Sequence, residues 1–418
     1  MEESHFEKKD SYTEIPAEKQ PGFRNLLGRP TILAALTILI AAIICFSIAV
    51  LIFGPDADSK ADLSKIPNEK ISPANSTQQY EEVQKNNLED LVKRADLALI
   101  RTLEETGVDM KQLQLEDVTL KRHEGRDYHY QQLRFPAVNN RDSFIQSVKK
   151  KLTSLNADAK LDKIDSNCWM LSIEGINTHK IFMDKARKTP SLSFAESPKM
   201  AIVIDDMGED VPLAEGLAAT GLKITFSIWP SSSHAKRIAE LARRNGNEIM
   251  IHMPMQPQGY PKVNPGKDAL LDGMKHDRIK ALVNQAIKNI PGAVGMNNHM
   301  GSRFTENLYG MKAVMQTLKK HGIFFLDSKT TPNSICRKAS AIYKLPMYER
   351  NIFLDNVKDV SAIEFQLEKA EKIALKHGQS IAIGHPHHQT LEAIKKWAKN
   401  KDARLYIVPV DKLVPITN

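Results

Sequence analysis

Two carboxylates stand side by side at Asp205 and Asp206, directly after the apolar run "MAIVI" and just before Gly208. Like charges at the end of a buried strand repel, and each loses hydration. A bound cation or a shared proton would compensate, and a solvated loop would avoid the conflict. The pattern recurs downstream. "EIMI" precedes His252, "AVGM" precedes Asn297, Asn298 and His299, and "IFFL" precedes Asp327 and Ser328. "NIFL" precedes Asp355 and Asn356, and "SIAIG" precedes His385, with His387 and His388 beyond it. These are metal-ligand and acid–base residue types. Asp, His and His make a ligand set for Zn2+ or a similar divalent ion with one position left open. Such an ion makes water a usable nucleophile near neutral pH. The other aspartate of the pair is then a candidate base. His385, with its backbone fixed between Gly384 and Pro386, is a candidate acid for the leaving group.

Gathering these residues requires a particular scaffold. From Lys199 onward, short apolar runs alternate with amphipathic helical patterns at Ala235–Asn245, Arg278–Asn289, Leu308–His321 and Ala362–His377. Gly246, Gly322 and Gly378 follow three of these helices where a left-handed cap is wanted, and Ser361 with Glu364 fits a capping box. Strands alternating with helices predict a parallel sheet. The number of units favours a closed or nearly closed β/α barrel. All its strands would end on one side, where the acidic and imidazole side chains would converge.

The preceding part has a different texture. A helical pattern runs from Tyr80 to Thr106. "DVTLKRHE" and "DYHYQQLRF" alternate as paired strands, "SFIQSVKKKL" is an amphipathic helix, and "NCWMLSIEG" and "THKIFMD" suggest two more strands. This predicts a small α+β domain over 82–187, between a linker at 54–81 and a second at 188–199. It carries no cluster of catalytic residue types: His123, His129 and His179 are scattered and read as solvated or strand-face histidines.

Thr31–Phe53 is uncharged and long enough, at 1.5 Å per residue, to cross a hydrocarbon core of about 30 Å. Arg24 and Arg29 precede it, while Asp56 and Asp58 follow. The positive-inside rule predicts an uncleaved single-pass anchor of the inner membrane, with residues 1–30 cytoplasmic and the remainder periplasmic or extracellular. A net charge of +8 suits anionic lipid or an acidic polymer without naming one, and 6% aromatic residues offer no evident stacking surface for nucleic acid. The three cysteines, Cys45, Cys168 and Cys336, form neither a zinc knuckle nor a disulfide framework. A Cys168–Cys336 bridge is open to the chain if both lie outside the cytoplasm.

The segments "AIVIDDMG", "ITFSIWPSSSHA", "IMIHMPMQP", "GMNNHMGSRFT", "FFLDS" and "IAIGHPH" resemble the divergent polysaccharide deacetylase family, a branch of the NodB-like carbohydrate esterases. The resemblance covers about 200–415. It implies an α/β fold with a distorted (β/α)7 barrel, Asp205 as base, Asp206 as a metal ligand and His385 as acid. Typical relatives carry two histidines in one His-x-x-x-His motif. Here His252 is followed four residues later by Gln256, so His299, at the next strand end, is the expected substitute ligand, and His234 is another candidate. The superfamily's substrate-clamping arginine has no clear match, since Asn298 and His299 occupy that region. Asn298, Asp327, Ser328 and His387 are expected to contact substrate.

The function expected is a membrane-anchored, zinc-dependent (or other divalent-metal) hydrolase that removes acetyl groups from N-acetylated sugars of an envelope polysaccharide or of peptidoglycan. The alternative is a catalytically inactive carbohydrate-binding or structural envelope protein on the same barrel. An assay of bound metal and released acetate separates them.

Overall fold

The computed structural model describes residues 88–108, 112–136, 138, 140–183 and 197–416. The expected cytoplasmic tail, the membrane segment Thr31–Phe53, the linker at 54–81 and most of the second linker lie outside the described residues. Among the described residues no helix is long and apolar enough to cross a membrane. Thr77–Asn418 forms one compact unit.

Its first part is a five-stranded sheet backed by two helices. Helix α1 (Leu88–Glu105) buries Leu88, Val92, Ala95, Leu99 and Leu103, the three-and-four spacing of one helical face. Strands β1 (Gln114–His123) and β2 (Arg126–Phe135) form a hairpin, followed by α2 (Arg141–Ser154), β3 (Ala159–Asp165), β4 (Cys168–Ile173) and β5 (Ile176–Met183). The sheet order is β1-β2-β5-β4-β3, antiparallel except between β2 and β5. Strand β3 is an addition to the expected elements. It is an edge strand that fully buries only Leu161, so it lacks the alternation that marks its neighbours.

The second part is a parallel α/β layer. Its elements are β6 (Lys199–Met207), α3 (Val211–Ala218), β7 (Thr225–Ile228), α4 (Ala235–Arg244), β8 (Glu248–Met255), α5 (His276–Asn289) and β9 (Gly295–Met300). They continue with α6 (Leu308–His321), β10 (Phe324–Asp327), α7 (Cys336–Tyr343), β11 (Met347–Glu349), β12 (Ile352–Phe353), α8 (Val360–His377), β13 (Gln379–Gly384), α9 (His388–Ala398) and β14 (Tyr406–Ile407). The strand order is β11-β10-β9-β8-β7-β6-β13-β12, with β14 also on β6. Strand β6 is buried along nearly its whole length, as befits a parallel strand covered on both faces.

The sheet curls but does not close into the expected barrel: β11 and β12 are its two edges and do not pair with each other. They are three and two residues long and are joined directly through Arg350 and Asn351, with no helix between them. This short segment meets both sides in turn: the Arg350 amide donates to Asp327 O at the end of β10, and the Asn351 amide donates to Ile381 O of β13. The result is a curled half-barrel. Gly322 (φ 68°) and Gly378 (φ 89°) cap α6 and α8 in the left-handed region, as expected. The capping box at Ser361 is corrected. Asp359 is the N-cap and accepts from the Ala362 amide, while the Ser361 hydroxyl donates to Glu104.

Alternation along the strands sorts side chains between two layers. Met200, Ile202 and Ile204 of β6 join the core beneath the helices, whereas Ala201 and Val203 join a smaller cluster inside the curl with Met250, Leu326, Ile381 and Ile383. Period two therefore carries Asp205, His252, Ser328 and His385 to the same inner side, along with Asn297 and His299 of β9.

The two parts share their cores. Val118 of β1 belongs to the core of the parallel layer, and Phe365 of α8 belongs to that of the first part. Lys369 of α8 is fully buried, with its ammonium 3.3 Å from Asp96 of α1. Asp96 also meets His179 Nε2 at 2.9 Å and accepts from Gln131 and Gln366. Cys168 and Cys336 are buried and free, so the bridge between them is not made.

Candidate metal and catalytic centre

Asp205 and Asp206 are neighbours on one strand, so regular alternation would send their side chains to opposite faces. The pairing of β6 with β7 breaks register between Ile204 and Met207, and Asp206 adopts φ +52°. A bulge of this kind re-aims a side chain, and both carboxylates reach one site. Gly208 (φ +143°) completes the turn. A Cβ there would lie 1.9 Å from Ser232 Oγ and 2.4 Å from Ser232 Cβ.

Asp206 Oδ1 lies 3.1 Å from His252 Nε2 and 3.0 Å from His299 Nδ1, and the two nitrogens are 3.2 Å apart. All three residues are buried. Tetrahedral coordination at zinc–ligand distances of about 2.0–2.1 Å separates ligand atoms by roughly 3.3 Å. Both Asp206 oxygens are buried without a hydrogen-bond partner, although the imidazole nitrogens are close. An orphaned carboxylate beside two imidazoles is the arrangement a divalent cation satisfies, so the donor set fits the expected metal.

Asn297 fixes the histidine. Its Nδ2 donates to both oxygens of Asp205 (2.8 and 2.9 Å) and to Ser328 Oγ (3.2 Å), which leaves Oδ1 as the acceptor facing His252 Nδ1 at 2.8 Å. Ser227 also donates to that oxygen, at 2.6 Å. His252 thus carries its proton on Nδ1 and, when neutral, turns a bare Nε2 toward Asp206. Trp229 packs over His299, with ring centroids 4.6 Å apart.

Electrostatics divides the aspartates. Burial raises the pKa of Asp205, only partly offset by His252, His385 and the Asn297 amide. Burial also opposes ionisation of Asp206, but His299 and His252 outweigh it and hold its pKa below the usual carboxylate range. Burial pushes His252 down, and Asp205 and Asp206 more than reverse this. One carboxylate is poised to take up a proton while its neighbour stays charged.

On the opposite wall, His385 Nδ1 sits 2.8 Å from Asp355 Oδ1. Asp355 Oδ2 accepts from the His385 amide and from Thr390 Oγ1, both at 2.6 Å. Burial would raise the Asp355 pKa, but His385 and these hydrogen bonds lower it. The carboxylate therefore orients the ring through Nδ1.

Asp205, Asp206, His252, His299 and His385 thus come together as the sequence predicts. A cavity of about 150 Å3 is lined by Asp205, His252, His299 and His385, together with Asn298 and Ser328. Asn298 sits on the other parity of β9. Its amide donates to Met300 O (2.7 Å) and accepts from Ser328 N (3.0 Å), so it holds two backbones in place. Asp327 does not line the cavity. It accepts from Lys329 N and Ser334 Oγ and shapes the loop after β10. His387 is half-buried beside His385, with ring centroids 6.2 Å apart, and burial lowers its pKa to about 4. His234 is exposed at the start of α4, outside the ligand cluster. Gln256, four residues after His252, is engaged elsewhere, and its Oε1 accepts from Asp272 N at 2.6 Å. Asn297 and Asp355 stand at strand ends in the sequence but carry no expected role. Strand parity is the signal that singles out Asn297, which shares a face of β9 with His299.

Residues 202–414 match the family described as divergent polysaccharide deacetylase. The chain belongs to the divergent polysaccharide deacetylase family. Outside the match lies the first part, 88–183. Among relatives of this deacetylase family chain, the "Uncharacterized protein YibQ" of Escherichia coli K12 is 35% identical over 216 residues, which is 52% of this chain and 67% of that one. An uncharacterized protein of Haemophilus influenzae Rd is 35% identical over 223 residues, 53% of this chain and 79% of that one. The crystal structure of uncharacterized protein ATU2773 from Agrobacterium tumefaciens C58 superposes with a TM-score of 0.51 at 27% identity, covering 53% of this chain and 90% of that one.

Proposed function

We propose that this divergent polysaccharide deacetylase family member is a metal-dependent hydrolase that removes acetyl groups from N-acetylated sugars of an envelope polysaccharide or of peptidoglycan. The carrying observation is the orphaned Asp206 carboxylate, 3.0–3.1 Å from two imidazole nitrogens, in a site that also holds Asp205 on Asn297 and His385 on Asp355. Asp206, His252 and His299 would hold the ion. A bound divalent cation supplies Lewis-acid polarisation of the acyl oxygen and eases deprotonation of water. Asp205, with its raised pKa, takes the proton of the attacking water as the new C–O bond forms. His385 Nε2 delivers a proton to the sugar nitrogen as the C–N bond breaks, and Asp355 steadies the imidazolium form. Water is consumed, and acetate and a free amine leave. Thr31–Phe53 anchors the chain in the inner membrane, with the site on the outer side, where such glycans are found.

Acetate release from chitooligosaccharides and peptidoglycan fragments tests this reading. Release by the wild type that is abolished in Asp205→Asn, with the melting profile retained, is expected. Stoichiometric metal with no acetate released from any glycan would favour the binding-module reading instead.

A further inference from the structure

The cavity above the metal and catalytic residues is only partly made by the matched family region. Its other wall comes from the first part of the chain: Glu89 and Lys93 at the start of α1, and Arg126, Asp127 and His129 beside the β1–β2 turn. We infer that this α+β part is a fixed wall of the substrate site and recognises an uncharged sugar unit next to the one that reacts. The inference rests on the hydrolase reading for the identity of the reacting sugar.

The wall is rigidly seated. Lys369, Asp96 and His179 form a buried ionic cluster across the junction. Arg101 of α1 pairs with Asp359 at the start of α8. Lys93 donates to Asn356, the residue next to the Asp355 that orients His385. The wall is therefore tied to the same short segment that positions the candidate acid.

Its chemistry suits a neutral, hydroxyl-rich ligand. The first part contributes both signs to the lining, Glu89, Asp90 and Asp127 against Lys93 and Arg126. Arg126 pairs with Glu174 at 2.6 Å, Asp127 pairs with Arg122 at 2.5 Å, and Glu89 lies 3.9 Å from the Lys369 ammonium. Paired charged side chains still offer directional donors and acceptors, since a guanidinium carries five N–H groups and a carboxylate about four acceptor positions. With the two signs mixed on this wall, there is no cationic surplus to select an anion. Hydroxyls meeting such groups make charge-assisted hydrogen bonds, which are stronger than those between neutral partners.

The test uses the full-length protein in detergent, with N-acetylglucosamine and its tetramer as probes. The variant is the double substitution Arg126→Ala, Asp127→Ala, with its melting midpoint as the check on folding. The ratio of kcat/KM for the tetramer over the monomer is expected to fall roughly tenfold or more. An unchanged ratio overturns the inference. Calorimetric binding of the tetramer to Asp205→Asn protein, with and without the double substitution, needs no turnover. Weakening by a similar factor supports the wall even if acetate release fails, in which case the hydrolase reading falls alone. Equal binding, or no binding by Asp205→Asn protein with Arg126 and Asp127 intact, overturns the wall.

Discussion

Asn297 donates one amide group to both carboxylate oxygens of Asp205, at 2.8 and 2.9 Å, and so joins the candidate base to the metal-ligand side of the site. The same residue accepts from His252 at 2.8 Å. Asn297→Ala removes both anchors. Loss of a partner that orients a metal ligand lowers metal affinity about 10–100-fold. Competition with a chromophoric chelator reads this directly, and affinity equal to wild type would show that Asn297 does not orient His252.

Asp355 makes three hydrogen bonds, two of them to His385. Asp355→Asn keeps the side-chain shape and removes the charge that favours a protonated ring. General acid catalysis typically contributes 10²–10⁴-fold, so kcat is expected to fall by about that range with KM little changed. A change confined to KM would place Asp355 in substrate binding.

Asp96 makes stability pH-dependent. Burial raises its pKa, but Lys369, His179 and Gln131 outweigh burial and lower it from the ordinary 3.8 to about 2. A depressed carboxylate contributes stability above its unfolded pKa and loses it as the pH falls through its folded one. The Asp96 contribution, of order 2 kcal/mol, is thus fully present above about pH 4 and disappears between about pH 4 and pH 2. Lys369→Met leaves Asp96 buried without its cation, at an expected cost of about 3–5 kcal/mol near neutral pH. Urea unfolding of the two proteins across this range checks both statements, and parallel acid limbs with equal midpoints would contradict them.

Gly208→Ala forces a Cβ to within 1.9 Å of Ser232 Oγ at a φ of +143°. Destabilisation of about 1–3 kcal/mol is expected from the backbone conformation, with more from the clash. Adding Ser232→Gly should relieve the steric share only. Thermal melting of the single and double variants separates the two, and an unaffected single variant would show that the turn relaxes.

Residue type at strand ends was enough to find Asp205, Asp206, His252, His299 and His385, because apolar runs and their polar terminations are local in sequence. Side-chain role was less legible. Asn298 has the same residue type as Asn297, and Asp327 directly precedes Ser328, but both sit on the other parity of their strands and hold backbones in place. Asp206 violates parity, since the bulge that turns it inward depends on pairing with β7 rather than on composition. The unclosed sheet was hidden for a similar reason: β11 and β12 are too short to show periodicity. Nothing in the first part's sequence signalled that Lys93 and Arg126 line the cavity, because that contact exists only once Lys369 meets Asp96 across the junction.

Metal content per chain is the most direct check on the shared site of Asp206, His252 and His299. Full-length wild type and His299→Ala are loaded with zinc, dialysed and measured by elemental analysis alongside protein concentration. About one zinc per wild-type chain, with little or none in His299→Ala of unchanged melting behaviour, is expected. Wild type that retains no divalent metal, or a variant that holds it equally well, would contradict a cation held by these three residues.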